Sequence, residues 1–138
     1  MAKKPKKMWV FAPTKTAPTV SDRIKSEVKD KADQWVSEVL KPKHIKPPPE
    51  HPRFNYLVDI STKWYRHYFY IQGKYCCPKP NAISPDFEVK FARLEYVDLD
   101  RFNLSYFRHT GQWHEVYQRL SLQECLVRID EDPFFIVG

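Results

Sequence analysis

The sequence predicts an α+β fold, with an N-terminal amphipathic helix, a proline-rich connector, an antiparallel β-meander of four or five strands and a short C-terminal helix. Apolar residues recur at helical spacing between residues 20 and 40, and five prolines follow between residues 41 and 52. Residues 54–117 then hold 16 of the 21 aromatic residues, in stretches that alternate at period two. These patterns are typical of a helix, a stiff connector and a sheet.

Chain length and charge divide the predicted elements into a basic N-terminal part and a neutral body. With 138 residues, the chain has room for one compact domain with arms. The net charge is +6, and residues 1–50 carry 12 Lys/Arg and 6 Asp/Glu, whereas residues 51–138 carry 11 of each. We therefore predict four segments: a flexible basic arm over 1–18, an amphipathic helix over 19–41, a proline-rich connector over 42–53, and an aromatic-rich sheet with its closing helix over 54–138.

The first 18 residues combine closely spaced lysines with three prolines. The lysines repel one another, and each proline lacks the amide N–H that regular structure needs. Both effects oppose regular structure and predict a flexible arm. Trp9 and Phe11 interrupt this polar composition, and we expect them to dock on the body or on a partner.

The segment from Val20 to Leu40 has the clearest helical pattern, with one apolar stripe and a charged opposite face. Thr19 or Ser21 supplies the oxygen that caps its first turn. Pro42 is predicted to end the helix, because the residue before a proline avoids the helical region. The prolines that follow predict an extended, stiff connector that holds the helix apart from the body.

Two strands are predicted at the start of the body, Phe54–Ile60 and Trp64–Tyr75. On the longer strand, alternation places one set of side chains on one face: Trp64, Arg66, Tyr68 and Tyr70. The opposite face takes Tyr65, His67, Phe69 and Ile71. Because both faces are aromatic, we expect both to be at least partly covered.

The rest of the meander is predicted from changes of parity and from turn residues. The apolar positions change parity after Phe91, which predicts a β-bulge near Ala92–Arg93. Asp98–Asp100 is a predicted turn, and residues 109–111 are a predicted three-residue loop with Gly111 in the left-handed conformation. The resulting register places Phe107 opposite Trp113, Tyr106 opposite His114 and Leu104 opposite Val116.

The C-terminal helix is predicted from a capping box, Ser121-Leu122-Gln123-Glu124. Its buried face is expected to consist of Leu122, Cys125, Leu126 and Ile129. Asp132–Pro133 is expected to end it.

The stretch from Phe91 to Phe135 resembles a family of small bacterial proteins, domain of unknown function 3024. The resemblance rests on FARLEY, RFNLSYFRHTGQWHEVY and SLQECLVRIDEDPFF. It covers about the last third of the chain, and the helix and connector before residue 54 lie outside it. It implies a run of basic and aromatic strands and a closing acidic helix, and it implies no activity and no site residues.

Several classes of protein are disfavoured by what the chain lacks. No run approaches the ~18 apolar residues of a membrane-spanning helix, and the N-terminus has no apolar stretch of signal-peptide length. We therefore expect a cytoplasmic protein with no membrane partner. Of the three cysteines, Cys76 and Cys77 are adjacent, a spacing that suits neither a disulfide framework nor the separated ligand pairs of a zinc site. We predict no metal and no cofactor.

A non-catalytic protein is expected, and no catalytic residue is predicted. The sequence has no nucleophile elbow, phosphate-binding loop or HExxH motif, and only three glycines. His114 and Glu115 are neighbours on a predicted strand, so they point to opposite faces and cannot act on one substrate atom.

Nucleic-acid binding is the first functional hypothesis. A lysine-rich arm supplies phosphate contacts, and Tyr, Trp and Arg on a sheet can stack unpaired bases. The candidate binding residues come from the arm and from two parts of the sheet: Lys3, Lys4, Lys6, Lys7, Lys63, Trp64, Arg66, Tyr68, Arg101, Arg108, His109 and Trp113. The competing interpretation is that the aromatic residues fill the core while the arginines pair with acidic residues of the neutral body.

Protein–protein association is the alternative functional hypothesis. Aromatic residues on both faces of a small sheet exceed what one helix can cover, and a leftover apolar face implies a homo-oligomer or a larger protein partner. The competing interpretation is that the two chain termini cover the second face.

Overall fold

The structure, a computed structural model, confirms the predicted α+β class. It describes residues 19–48, 50, 54–78, 86–108, 110–132 and 135. The helical part consists of α1 (Asp22–Trp35), a π-helical turn (Val36–Leu40) and α2 (Lys41–His44). The sheet and the closing helix are β1 (Tyr56–Tyr65), β2 (Tyr68–Cys76), β3 (Asp86–Asp98), β4 (Arg101–Phe107), β5 (Trp113–Leu120) and α3 (Leu122–Glu131).

The N-terminal helix begins where the sequence predicts and ends later. Ser21 is the N-cap, and its hydroxyl oxygen accepts a hydrogen bond from the Ile24 amide at 3.2 Å. The prediction that Pro42 ends the helix is wrong, since helical structure continues to His44. In the π-helical turn the Lys41 amide donates to the Val36 carbonyl, five residues back. This widened turn ends two residues before the proline and contains Glu38, whose carbonyl the proline ring would crowd in a regular α-helix.

The five strands form one antiparallel sheet in the order β1-β2-β3-β4-β5. The predicted strand Trp64–Tyr75 is wrong, because a hairpin turn at Arg66 and His67 divides it between β1 and β2. Arg66 has φ 57°, a conformation that L-residues rarely adopt, and the turn makes Tyr65 the register partner of Tyr68. Neither turn residue is the Gly or Asn that commonly marks a tight hairpin.

The other irregularities of the sheet lie close to their predicted positions. Ile71 is opposite Ala92 and Gln72 is opposite Lys90, so Phe91 is the extra residue of a bulge, one position before the predicted pair. The chain turns at Leu99–Asp100. Gly111 has φ 87°, which confirms its left-handed conformation. The predicted register is confirmed for Phe107 with Trp113 and for Tyr106 with His114, but Leu104 is opposite Tyr117 instead of Val116 because a second irregularity follows it.

Both helices pack on one face of the sheet, which we call the helix face. Val28, Ala32, Val36 and Leu40 belong to the same buried cluster as the sheet residues. The central sheet residues of this cluster are fully or almost fully buried: Ile60, Phe69, Ile71, Leu94, Phe102 and Leu104. The prediction that the connector holds the helix apart from the body is therefore wrong.

Polar contacts also join the N-terminal helix to β1. The Lys29 ammonium donates to the Thr62 carbonyl and hydroxyl, both at 3.0 Å, and the Thr62 hydroxyl donates to Asp33. Lys41 pairs with Asp59 at 3.1 Å. Thr62 is a buried polar residue, and these bonds satisfy its hydroxyl, so the helix is held against the sheet by more than apolar contact.

The closing helix follows the prediction closely. Ser121 and Glu124 form the reciprocal capping box, and Leu122, Cys125, Leu126 and Ile129 are buried. The helix ends with Asp132 as its C-cap residue. The Asp132 carboxylate accepts a hydrogen bond from the Tyr117 hydroxyl at 2.6 Å, which ties the end of α3 to β5.

Candidate functional site on the open face of the sheet

The face of the sheet opposite the helices, which we call the open face, carries the candidate site. Because partners in an antiparallel sheet share a face, the register defines one row that crosses all five strands. The row is Lys63, Tyr70, Arg93, Ser105 and Glu115. Neither α1 nor α3 packs over this row, since the buried residues of both helices join the cluster on the helix face.

Five aromatic side chains form a line across the open face, which we call the aromatic band. Tyr65 on β1 is the register partner of Tyr68 on β2. The ring centroids of Tyr68 and Tyr70 are 6.2 Å apart, those of Tyr70 and Trp113 are 5.7 Å apart, and those of Trp113 and Phe107 are 5.1 Å apart. These separations are in the range of favourable aromatic contacts. The rings of Tyr68, Tyr70, Trp113 and Phe107 therefore form a continuous series, and Tyr65, opposite Tyr68, extends the band to the edge strand β1.

Arg93 lies inside the aromatic band. Its guanidinium carbon is 4.6 Å from the ring centroid of Tyr68 and 5.0 Å from that of Trp113. Its Nε atom is buried and has no hydrogen-bond partner among the described residues. The side chain is held between two rings, so its plane is fixed by packing.

Two further cations lie against rings of the band. Lys90 Nζ is 5.4 Å from the ring centroid of Tyr70, and the guanidinium carbon of Arg66 is 5.2 Å from that of Tyr65. Burial raises the pKa of Tyr70, and the neighbouring positive charge of Arg93 opposes this by a smaller amount. Tyr70 is consequently a neutral phenol at physiological pH and offers an uncharged surface.

The aromatic band is most exposed at its two ends. Tyr65 is 53% exposed and Phe107 is 44% exposed, whereas Tyr70 in the middle is 9% exposed. Tyr68 and Trp113 are half-buried. An incoming ligand would therefore reach two open rings at the ends and the faces or edges of the others between them.

The charges on the open face nearly balance, but the cations and the acids differ in their pairing. Among the described residues, Lys63, Lys90 and Arg93 take part in no ion pair. By contrast, Glu95 lies 3.2 Å from His67, and Glu88 accepts a hydrogen bond from Gln72 at 3.3 Å. Of these three cations, Lys63 and Lys90 lie beside the aromatic band and Arg93 lies inside it.

The structure brings together only part of the predicted set of binding residues. Lys63, Tyr68 and Trp113 lie on the open face, and Arg66 lies in the turn beside it. Trp64 does not share this face, which corrects the predicted pairing of Trp64 with Tyr68. Its indole N–H donates to the Lys25 carbonyl of α1 at 3.0 Å.

The predicted residues Arg101 and Arg108 are exposed but far apart. They lie at opposite ends of β4, and Arg101 donates to the Asp100 carbonyl at 2.7 Å. At ~3.4 Å per residue, they are about 24 Å apart. Lys3, Lys4, Lys6, Lys7 and His109 lie outside the described residues.

Five members of the site were not predicted from the sequence: Tyr65, Tyr70, Lys90, Arg93 and Phe107. Tyr65 was assigned to the opposite face because the turn at Arg66 and His67 has no strong turn residue. Its only sequence signal is the arrangement KWYRHYFY, in which two basic residues separate two aromatic clusters. The place of Arg93 depends on the bulge at Phe91, which sequence parity located to within one residue.

A second concave feature lies on the opposite side of the molecule, between α1, α3 and the β3–β4 turn. It is a cavity of about 550 Å³. Its apolar lining includes Ile24, Trp35 and Leu99, and the carboxylate of Asp100 at its margin accepts a hydrogen bond from the Leu122 amide at 3.0 Å. Asp100 thus helps to cap α3.

All three cysteines are free thiols. Cys76 and Cys77 are half-buried, and Cys125 is buried in α3, where burial raises the pKa of its thiol to about 12. Within the described ranges, no group of three or more His, Cys, Asp or Glu residues is arranged to hold a metal ion. In the same part of the chain, no helix has the length and apolar character needed to cross a membrane.

Comparison with known proteins shows the family and nothing beyond it. The family model for the domain of unknown function DUF3024 matches residues 20–137. The matched region includes α1 and the connector, so the resemblance extends well beyond the C-terminal third from which it was recognised. Searches of curated proteins and of solved structures find no match to this chain. Because the family model covers most of the sequence, the chain belongs to the DUF3024 family.

Proposed function

We propose that this protein is a small, non-catalytic binding protein that associates with nucleic acid through its basic N-terminal arm and the open face of its sheet. The observation that carries the proposal is the aromatic band with Lys63, Lys90 and Arg93 beside it. Aromatic faces that alternate with cations suit a ligand made of flat bases joined by phosphates.

The chemistry of such a face divides binding between stacking and charge. Stacking of a base on an aromatic side chain contributes about 1–3 kcal/mol and tolerates any base. Each phosphate neutralised by a lysine or arginine releases counterions, which makes that part of the affinity depend on salt. Because acidic residues share the open face, we expect the sheet to contribute mainly stacking and the arm lysines Lys3, Lys4, Lys6 and Lys7 to contribute most of the salt dependence.

The pattern of shifted pKa values supports a non-catalytic role. Catalytic sites usually gather shifted groups in one cleft. Here a hydrogen bond to Asp132 raises the pKa of Tyr117, and hydrogen bonds from Ser121 lower the pKa of Glu124. Burial raises the pKa of Cys125. All three groups lie on or against α3, and each shift has a structural cause: a contact at the end of the helix, its capping box, or burial in the core. The three free cysteines favour a reducing compartment, and we place this role in the cytoplasm.

Oligonucleotide binding by fluorescence anisotropy tests the proposal. We expect the full chain to bind a labelled oligonucleotide, with an affinity that falls between about 0.05 and 0.2 M salt. Deletion of residues 1–7 removes four lysines and should reduce the slope of log affinity against log salt by about 3. Tyr65→Ala and Phe107→Ala should each weaken binding by at least about fivefold with little change in that slope.

Leu99→Ala is the matched control. Leu99 is 70% exposed and lines the cavity on the opposite side, so its loss removes exposed apolar surface away from the open face. We expect it to leave binding unchanged. No measurable oligonucleotide binding by the folded full chain would overturn the proposal.

Protein association is the second candidate, because the exposed rings of Tyr65 and Phe107 are also suited to a protein contact. Sedimentation of the full chain at several concentrations distinguishes the two. A dimer that Tyr65→Ala dissociates, in a protein that binds no oligonucleotide, would favour a homo-oligomer over the nucleic-acid role.

A further inference from the structure

We infer that the nucleic acid is single-stranded and lies diagonally across the strands of the open face, with four to six nucleotides in contact and Arg93 as a fixed cation at the centre. This inference rests on the proposed function, and it adds the strandedness, path and length of the ligand. It follows from the course of the aromatic band across the sheet.

The path is set by where the band begins and ends. Tyr65 is on the edge strand β1, and Trp113 is on the edge strand β5. Tyr65 also belongs to the row that contains Asn103, whereas Phe107 lies four residues further along β4. Tyr65 and Phe107 are thus three strands and four residues apart. With strands ~4.8 Å apart and residues rising ~3.4 Å along each strand, the diagonal distance between these two positions is about 20 Å.

The length of the band gives the number of nucleotides. At the ~3.4 Å rise of a stacked strand, a distance of about 20 Å corresponds to about six nucleotides. Bases that are unstacked and spread onto separate rings need fewer nucleotides for the same distance. A contact length of about four to six nucleotides follows, at the lower end of the range found for single-strand-binding modules.

The shape of the open face favours a single strand over a duplex. The rings are presented by β-strands across a broad sheet surface, and bases can stack on them only when their own faces are free. A duplex buries those faces between neighbouring base pairs. Duplex recognition through the major groove requires a helix or a narrow two-stranded ribbon that can enter the groove. The described helices α1, α2 and α3 are not on this face.

Arg93 is prepared for one central polar contact. Tyr68 and Trp113 hold its guanidinium plane from two sides, and its Nε is already buried. The terminal N–H groups that the Tyr70 hydroxyl does not engage are then the donors left to meet a phosphate or a base edge. Since packing has already restricted the side chain, little further conformational entropy is lost when that contact forms.

Lys63 and Lys90 lie on either side of this centre. Lys63 is opposite Tyr70 on β1, and Lys90 lies beside the same ring on β3. Both side chains are exposed, so they can follow the backbone of a strand whose bases lie on the rings. The arrangement places one mobile cation on each side of the fixed cation.

The test uses the full-length protein and homopolymeric DNA oligonucleotides of increasing length, with a duplex of equal length for comparison. At about 0.15 M salt, affinity should rise steeply up to about four to six nucleotides and only slowly beyond that. The duplex should bind at least about tenfold more weakly, because it offers phosphates but no free base faces. Amide shifts in NMR spectra should change on β1, β2, β3 and the β4–β5 hairpin.

Arg93→Lys tests the fixed cation, since it keeps the charge and loses the planar stacked group. We expect affinity for the oligonucleotide to fall about tenfold. Arg128→Lys is the matched control, because the Arg128 guanidinium carbon is 5.3 Å from the ring centroid of Tyr117 and lies on α3, away from the open face, and it should keep its affinity within about twofold. Because Arg93 packs between two rings, Arg93→Lys is first checked for an unchanged thermal unfolding midpoint. If it is destabilised, Tyr65→Ala, at an exposed ring, serves as the second variant.

The possible failures are distinguishable. Equal affinity for single strand and duplex, or affinity that increases uniformly with length, would overturn this inference and leave the proposed function standing. Absence of binding to either nucleic acid would overturn both.

Discussion

The two faces of the sheet use the same residue types in opposite ways. On the helix face, Phe69 and Phe102 are 0% and 1% exposed, and they pack into one apolar cluster with the helices. On the open face, Tyr65 and Phe107 are about half exposed, Tyr65 lies beside the Arg66 guanidinium, and Phe107 lies beside Trp113. Aromatic content alone thus does not separate core from surface, and the neighbours of each ring decide its role.

The two sheet tryptophans make the comparison most directly. Trp64 donates its indole N–H to a carbonyl of α1 and packs on Phe69 with ring centroids 5.0 Å apart. Trp113 lies against Arg93 at 5.0 Å and Phe107 at 5.1 Å. One tryptophan holds a helix on the sheet, and the other is part of a surface on which none of the described helices packs. The helix face contains the buried core, and the open face leaves two of its rings about half exposed.

The largest expected effect comes from removing a ring on the helix face. Phe69→Ala should lower the free energy of unfolding by about 3–5 kcal/mol, because it leaves a cavity in a closely packed core. Phe107→Ala, the matched change on the open face, should lower it by no more than about 1 kcal/mol. Urea denaturation measures both values. Equal losses would mean that the open face is also part of the core.

The pH dependence of stability should come partly from Cys125 on the helix face. Its folded-state pKa is raised to about 12 from an ordinary value of 9.0, so the folded protein holds the thiol proton more tightly than the unfolded chain. The corresponding stability is present below pH 9 and is lost as the pH rises towards 12. Cys125→Ala should reduce the fall in unfolding free energy over this range. An identical fall in wild type and variant would contradict the assignment.

The smallest expected effect is a difference in unfolding free energy between the phenylalanine variants of the two tryptophans. Trp64→Phe keeps a ring but removes the hydrogen bond to the Lys25 carbonyl, and it should cost about 1 kcal/mol of unfolding free energy. Trp113→Phe has no such bond to lose among the described residues, and stability should change by less than about 0.5 kcal/mol. Thermal unfolding by circular dichroism resolves the difference. A larger loss for Trp113→Phe would show that the open face contributes more to stability than its exposure indicates.

Local signals predicted much of the fold. Ser21, the capping box of Ser121 and Glu124, and the left-handed Gly111 lie where the sequence places them, because each interaction joins residues within a few positions of one another. The bulge at Phe91 was located to within one residue, since a bulge shifts the parity of the apolar positions. The family resemblance was likewise recognised from local motifs, although the family extends further.

Other features depend on distant neighbours and were predicted wrongly. Pro42 does not end the helix, because a π-helical turn accommodates it while the buried Val36 and Leu40 on that turn keep the helix against the sheet. The hairpin at Arg66 and His67 forms without a strong turn residue, since β1 and β2 pair along nine residues on each side of it. In both places tertiary contacts outweigh a local preference.

By itself, the sequence determined the α+β class, an N-terminal helix capped by Thr19 or Ser21, the capping box of the closing helix, and the concentration of positive charge before residue 51. Only the tertiary structure decided which side of the sheet each aromatic residue faces. Side chains alternate strictly along a strand, so one unrecognised turn was enough to move Tyr65 onto the open face and leave Trp64 on the helix face. Arg93 depends on the tertiary structure as well, because pairing between strands places it between Tyr68 and Trp113.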